Sequence, residues 1–442
     1  MGETPLSDAG PELVADGPAA GPAWAPLPPR PARETALLIA AAVALQALVW
    51  AVLIVLLYQL RIGYGFHDLS DSLWYIHYAD LVARGQRAYR DFSFEYPPLA
   101  LPLLLLPPHS SVAAYERWFS TEMIVLCAAA AALTTAAAAS IWRGLGRPLA
   151  AAVGFAAAVA AAGAVTANRY DVAVALTLAA CAFFLARRHT TAAAGALGTG
   201  VALKLTPAML LPLVLILAGT RRRVLWAVLA FGVVAALPFV PFLGDVTGLA
   251  TIVTYHADRP LQIESVPGTA YLVAGALGSS RVSTGDSYGS QFLAGPGATT
   301  AAAVAPWLGV VLVAGVYVLV WRRRALLRAA PQHVPLAALT CVLVFTACNK
   351  VLSPQFLVWT FPLLALVLAG EGRGQRVCGL LALAAIALTQ VEFPALYWDV
   401  VALQPAPVAV VVARNLVLVA AAVAAVVTLW RLPPAPDPAP GF

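Results

Sequence analysis

The residues best equipped for chemistry in this chain crowd into one short stretch after the first long apolar run. It reads His67-Asp68-Leu69-Ser70-Asp71-Ser72-Leu73-Trp74-Tyr75, followed by Arg90-Asp91-Phe92-Ser93-Phe94-Glu95-Tyr96-Pro97-Pro98. Five acids (Asp68, Asp71, Asp80, Asp91 and Glu95) stand here among aromatics, in a chain that is only 11% charged. A carboxylate beside apolar spans is costly to desolvate, so its pKa rises and it can serve as general base on a hydroxyl. Asp71 and Tyr75 are four residues apart and share one face of a helix. Leu69, Leu73, Ile76 and Asp80 also fall at near-helical spacing, and Trp74, Tyr75 and Tyr78 suit an interfacial belt. The stretch therefore equally predicts an amphipathic helix lying on a membrane surface. Glu95 reads either as a second acid of a site or as an ion-pair partner for Arg87 or Arg90. Pro97 and Pro98 then fix the backbone that turns the chain back.

Further polar groups stand at the ends of apolar runs. In Asn168-Arg169-Tyr170-Asp171, Arg169 can pair with Asp171, or its guanidinium fork can hold a phosphate. Lys204 interrupts an apolar run from Thr191 to Gly219, where an ammonium must either snorkel to an interface or meet an anion such as a lipid phosphate. The segment 256–265 adds Arg259, Gln262 and Glu264. His256, like His67, reads as a surface residue. Asn349, Lys350 and Gln355 supply another cation and two amides suited to sugar hydroxyls, and Arg414, early in the last span, should point into a protein interior.

The elements that must position these groups are membrane helices. The chain has 442 residues and is 61% hydrophobic, well above the ~45–50% of a soluble domain. Runs of about 20 apolar residues, the length that crosses a bilayer, fall near 35–60, 113–141, 148–167, 170–186, 224–243, 300–321, 334–350, 354–370, 376–392 and 406–430. The run 191–219 is too long for one span, is basic at both ends, and carries Lys204 and Pro207 near its middle. It predicts a hairpin of two short helices, giving about twelve in all. The expected fold is all-α, with a disordered tail over 1–33, a membrane domain over 34–431 and a second tail over 432–442.

Arg30 and Arg33 precede the first span and place the N-terminus in the cytoplasm. Threading the spans leaves Arg187/Arg188, Arg221–Arg223 and Arg322–Arg324 on the same side. The acidic first loop, Asn168–Asp171, the Lys204 turn, the loop 244–299 and Asn349-Lys350 all fall outside. A transporter places its polar groups nearer the midplane, so this asymmetry points to an enzyme at the outer leaflet. Basic residues confined to short loops argue against nucleic acid as a partner. The five cysteines lie in apolar runs without metal-ligand spacing, and no soluble α/β region could carry a dinucleotide fold.

Taken together, these residues resemble the glycosyltransferases of family 87, membrane enzymes of the GT-C fold typified by polyprenol-phosphate-mannose-dependent mannosyltransferases. The resemblance runs over roughly 35–430 and rests on Ser70–Tyr75, Tyr89–Phe92 with Glu95–Pro98, Asn168–Asp171, Lys204–Pro207, and Asn349-Lys350 with Ser353–Gln355. It implies an all-α GT-C-type bundle and transfer of a hexose, mannose by the type enzymes, from a polyprenyl-phosphate-sugar donor to a lipid or glycan acceptor. The reaction would be inverting, extracytoplasmic, and free of cofactor and metal. An acid of the first outer loop is the base in that fold, which carries over to Asp71, with Asp68 as rival. Lys204, Arg259, Lys350 and Arg169 would bind the donor phosphate. Tyr75, Glu95, Asn168, Asp171, Gln262, Glu264, Asn349 and Gln355 would line the sugar and acceptor sites. The alternative is a flippase or transporter of a lipid-linked sugar, suggested by the broken segment at Lys204.

Overall fold

The structure, a computed structural model, describes residues 30–59 and 69–433. Asp68, His67 and most of both expected tails lie outside the described residues. Nineteen α-helices follow one another along the described chain. The first six are α1 (Ala32–Ile54), α2 (Ser72–Ala83), α3 (Ala100–Leu105), α4 (Val112–Ile141), α5 (Gly146–Ala162) and α6 (Asp171–Ala186). Next come α7 (Thr190–Leu203), α8 (Leu211–Ala218), α9 (Arg221–Ala236), α10 (Val246–Leu249), α11 (Thr251–Asp258) and α12 (Thr269–Ala276). The last are α13 (Ala298–Arg322), α14 (Arg324–Ala329), α15 (Val334–Cys348), α16 (Phe361–Leu368), α17 (Arg373–Glu392), α18 (Tyr397–Val401) and α19 (Pro405–Trp430).

Among the described residues, eight helical segments are long and apolar enough to cross a bilayer. They match eight of the expected spans, the one that begins at Arg221 running on through α11. The expected spans at 170–186, 191–219 and 354–370 are shorter apolar helices. α15 and α16 are buried along almost their whole length, and most of α6 is buried too. A helix wrapped in protein need not match the bilayer thickness, because its terminal backbone groups find partners inside the bundle. Large apolar side chains instead stay exposed on the outer helices, such as Leu48 on α1, Leu229 on α9 and Val311 on α13, as lipid contact requires.

The predicted break at Lys204 is present. α7 stops where Lys204 adopts an extended backbone, a 3-10 turn over Thr206–Leu210 follows with Pro207 near its start, and α8 continues from Leu211. The helix expected after the first span is α2, but it is not amphipathic: Leu73 and Trp74 stand exposed while Ser72 is buried with Tyr75 and Ile76. The loop 244–299 is more ordered than its composition suggests. It holds α10, α11, α12 and an antiparallel hairpin of β1 (Ser283–Ser287) and β2 (Ser290–Ala294). Tyr288 and Gly289 turn that hairpin with positive φ values of 51° and 63°, as a tight two-residue connection needs. Residues 261–263 lie between the hairpin and Lys350, through Leu293 N–H to Leu261 C=O, Ile263 N–H to Gln291 C=O and Gln262 N–H to Lys350 C=O.

Candidate active site

Asp71 stands at the N-terminus of α2, where its carbonyl accepts the N–H groups of Trp74 and Tyr75. Its side chain is 29% exposed, whereas that of Arg169 beneath it is 6% exposed. Arg169 Nε lies 2.8 Å from Asp71 Oδ2. The N–H is not aimed at the oxygen, so this contact is an ion pair rather than an aligned hydrogen bond. The guanidinium is fixed by the carbonyls of Leu69 and Asn168, and Phe393 lies against it. Tyr75 donates its hydroxyl to the same Asp71 oxygen over 3.3 Å, and its ring is buried against Phe119 and Tyr170. Burial pushes the Asp71 carboxyl above its ordinary value, and Arg169 opposes that rise.

Two expected pairings are corrected by the geometry. Arg169 pairs with Asp71 and not with Asp171. Glu95 pairs with neither Arg87 nor Arg90: Tyr78 donates its hydroxyl to Glu95 at 2.5 Å, while Arg87 meets Asp245 and Arg90 meets Asp91. Tyr78, Phe92, Phe94, Tyr89 and Tyr96 pack ring against ring around this acid. Burial raises the Glu95 carboxyl, and the Tyr78 hydrogen bond holds it down in part.

Lys204 has its anion within the protein. Its ammonium lies 2.7 Å from Asp171 Oδ1, which also accepts the indole N–H of Trp359 at 2.7 Å. The rings of Tyr170, Phe356 and Trp359 lie 5.1–5.3 Å from the ammonium, so cation–π attraction adds to the ion pair. The break between α7 and the 3-10 turn is what aims Lys204 at the start of α6.

Two more cations converge from the outer loops. Arg259 donates to Ser290 Oγ at 2.6 Å and lies against the Tyr255 ring, while Lys350 donates to Ala257 C=O at 2.6 Å. Among the described residues neither is ion-paired. Both lie within electrostatic reach of His256, as does Lys204. His256 is half-buried rather than a plain surface residue. Burial also lowers Lys350, against a raising influence from Asp258.

The remaining expected residues brace the loops. Gln262 accepts Leu352 N–H at 2.6 Å and donates to Ser353 Oγ and Glu264. Asn349 accepts Val351 N–H, Asn168 is buried beside Arg169, and Gln355 is half-buried at the start of a 3-10 turn. Glu264 is buried with Glu392 and Arg414, and Arg414 donates to the Glu264 carbonyl at 2.9 Å. Arg414 is fully buried, as its place in the last span predicts. Burial and the Glu392 charge hold the Glu264 carboxyl well above its ordinary value. The sequence carries little sign of Trp359 and Glu392, and it marks Tyr78 only as an interfacial aromatic. An indole five residues past Pro354, between Phe356 and Phe361, is the available signal for Trp359.

The geometry thus gathers Asp71, Tyr75 and Arg169 at the start of α2, and the Tyr170 ring joins them to Lys204, lying against Tyr75 and 5.1 Å from the ammonium. One solved structure to which the chain as a whole is similar is "Crystal Structure of ArnT from Cupriavidus metallidurans bound to Undecaprenyl phosphate", at 16% identity and a TM-score of 0.43, over 90% of this chain and 78% of that one. No curated protein matches the chain. The sequence model of glycosyltransferase family 87 matches residues 94–354, more than half of the chain. That span holds Glu95, Arg169, Lys204, Arg259 and Lys350, whereas Asp71 lies before it and rests on the geometry. The chain belongs to glycosyltransferase family 87 and is a multi-pass membrane glycosyltransferase.

Proposed function

We propose that this enzyme transfers a hexose, mannose by its family resemblance, from a polyprenyl-phosphate-sugar donor to a hydroxyl of a lipid or glycan acceptor. The site faces the extracytoplasmic side, as the distribution of arginines predicts. The observation that carries the reading is a partly exposed, Arg169-paired Asp71 linked through Tyr75 and Tyr170 to Lys204, in a chain whose Arg259 and Lys350 hold only neutral hydrogen-bond partners among the described residues. Such cations favour a bound phosphodiester and stabilise the charge that grows as it leaves.

Asp71 takes the proton of the acceptor hydroxyl as that oxygen attacks the anomeric carbon from the face opposite the phosphate. The C–O bond to the phosphate breaks, and polyprenyl phosphate leaves towards Arg259, Lys350 and Lys204. One displacement inverts the anomeric centre. Tyr75 and Arg169 fix the Asp71 carboxylate, and Glu95 is placed to hold a sugar hydroxyl. A groove of about 750 Å³ runs between α13, α15 and α19, with only apolar lining such as Leu308, Leu312 and Val423. Its lining includes Pro267 and Cys348, the latter two residues before Lys350, and it suits the polyprenyl chain.

Purified enzyme given decaprenyl-phosphomannose and a panel of lipid acceptors should release decaprenyl phosphate and a mannosylated product. Translocation of labelled donor across proteoliposomes without bond cleavage would instead establish a flippase.

A further inference from the structure

The end of the bundle away from Asp71 carries a second concentration of charge. Residues 172–244 and 287–370 contain arginines in three clusters and no aspartate or glutamate. The fold draws one arginine from each cluster to a common place. Arg328 donates to the Ile216 carbonyl through Nε at 3.0 Å and Nη2 at 2.5 Å, and Arg188 donates to the Arg328 carbonyl at 2.6 Å. Arg223, in the first turn of α9, lines the same pocket, above an apolar floor of Leu185, Leu217 and Leu327. Among the described residues Arg223 and Arg328 have no ion-pair partner. Arg188 also holds a left-handed backbone (φ 61°), which a non-glycine residue adopts at a cost.

A second cavity of about 570 Å³ shares Arg188, Thr190 and Arg223 and continues between α7 and α9 past Ala192, Gly195 and Ala230. Gly195 lies five residues beyond Thr190 and Ala230 seven beyond Arg223, so the cleft runs roughly 7–10 Å along the helices. Above it the helices close: a Cβ on Gly198 would come within 2.7 Å of the Phe231 carbonyl oxygen. The outer side of α9 is almost wholly unburied, which leaves the cleft open sideways to the bilayer.

We propose that this pocket binds an anionic phospholipid of the cytoplasmic leaflet, its phosphate between Arg188 and Arg223 and the start of one acyl chain in the cleft between α7 and α9. Arg223 and Arg328, drawn to one pocket with no ion-pair partner among the described residues, repel one another until an anion joins them, and basic pockets between membrane helices on this side suit lipid headgroups. A soluble phosphate would fill the mouth but would leave the apolar cleft without use. The commitment to lipid rests on that cleft. α7, whose first turn lines the pocket, ends on Lys204, so a bound lipid braces the helix that carries the buried cation of the active site.

The test uses the full chain in nanodiscs of phosphatidylcholine containing phosphatidylglycerol as a minor component, with native mass spectrometry of the lipid retained on release. The wild type should retain phosphatidylglycerol. The double variant Arg188→Gln/Arg223→Gln should retain it roughly thirtyfold less, from two lost arginine contacts. Arg221→Gln/Arg222→Gln, with the same change in charge outside the pocket lining, should behave as wild type. Gly195→Leu fills the cleft without touching an arginine and should also lower retention, which keeps the test sound if the arginine variant folds poorly. Equal losses in the two arginine doubles, unchanged retention in Gly195→Leu, or displacement of the lipid by inorganic phosphate would each overturn the proposal.

Discussion

Asp71 is set by two neighbours that act in opposite ways on its acidity. Burial raises its carboxyl from the ordinary value and makes it a stronger base, while Arg169 at 2.8 Å opposes that rise. A base must be deprotonated to work, so activity should fall as pH drops through this raised value. Arg169→Gln removes the influence that lowers it. The acid limb of the rate profile should therefore move to higher pH, measured as initial rate against pH at saturating donor. An unmoved limb would show that the pair does not set the base. The carboxylate and its helical relation to Tyr75 were legible in the sequence because four-residue spacing is local. The Arg169 pairing was not, since it joins residues far apart in the chain, and the nearer Asp171 offered a plausible partner.

At the scale of elements, the break between α7 and α8 does the positioning. Pro207 and an ammonium in an apolar run made that break readable, because neither suits a continuous helix in a bilayer. What the sequence did not disclose is that Asp171, at the first turn of α6, supplies the anion. The pair is buried, so removing one partner strands the other. Lys204→Ala should destabilise the protein by roughly 3–5 kcal/mol, and Lys204→Met/Asp171→Asn by clearly less, since no lone charge remains. Denaturant unfolding of the purified variants in mixed micelles would measure this. Equal losses in the single and double variants would mean that the pair holds nothing. The β1–β2 hairpin also escaped prediction: its strands are short and rich in serine and glycine, and Gln291 and Leu293 matter through contacts with the distant 261–263 segment.

The whole molecule separates two faces. One end carries the acids, aromatics and cations of the candidate site; the other carries most of the arginines, of which Arg30 meets Glu34 and Arg147 meets Glu371, while Arg223 and Arg328 have no ion-pair partner among the described residues. That polarity was readable directly from the order of apolar runs and basic loops, as was the all-helical membrane class. The helix count was less readable, because α6 and α16 are largely enclosed by protein and, like α7 and α8, are shorter than a bilayer demands. The central claim joins scales: the bundle exists to hold one carboxylate opposite a phosphate-binding group. Its most direct measurement is the initial rate of polyprenyl-phosphate release by Asp71→Asn in proteoliposomes, with donor binding measured in parallel. The account predicts a fall of roughly 10²–10⁴-fold with donor binding kept, the usual contribution of a general base. A variant that turns over at the wild-type rate would contradict it.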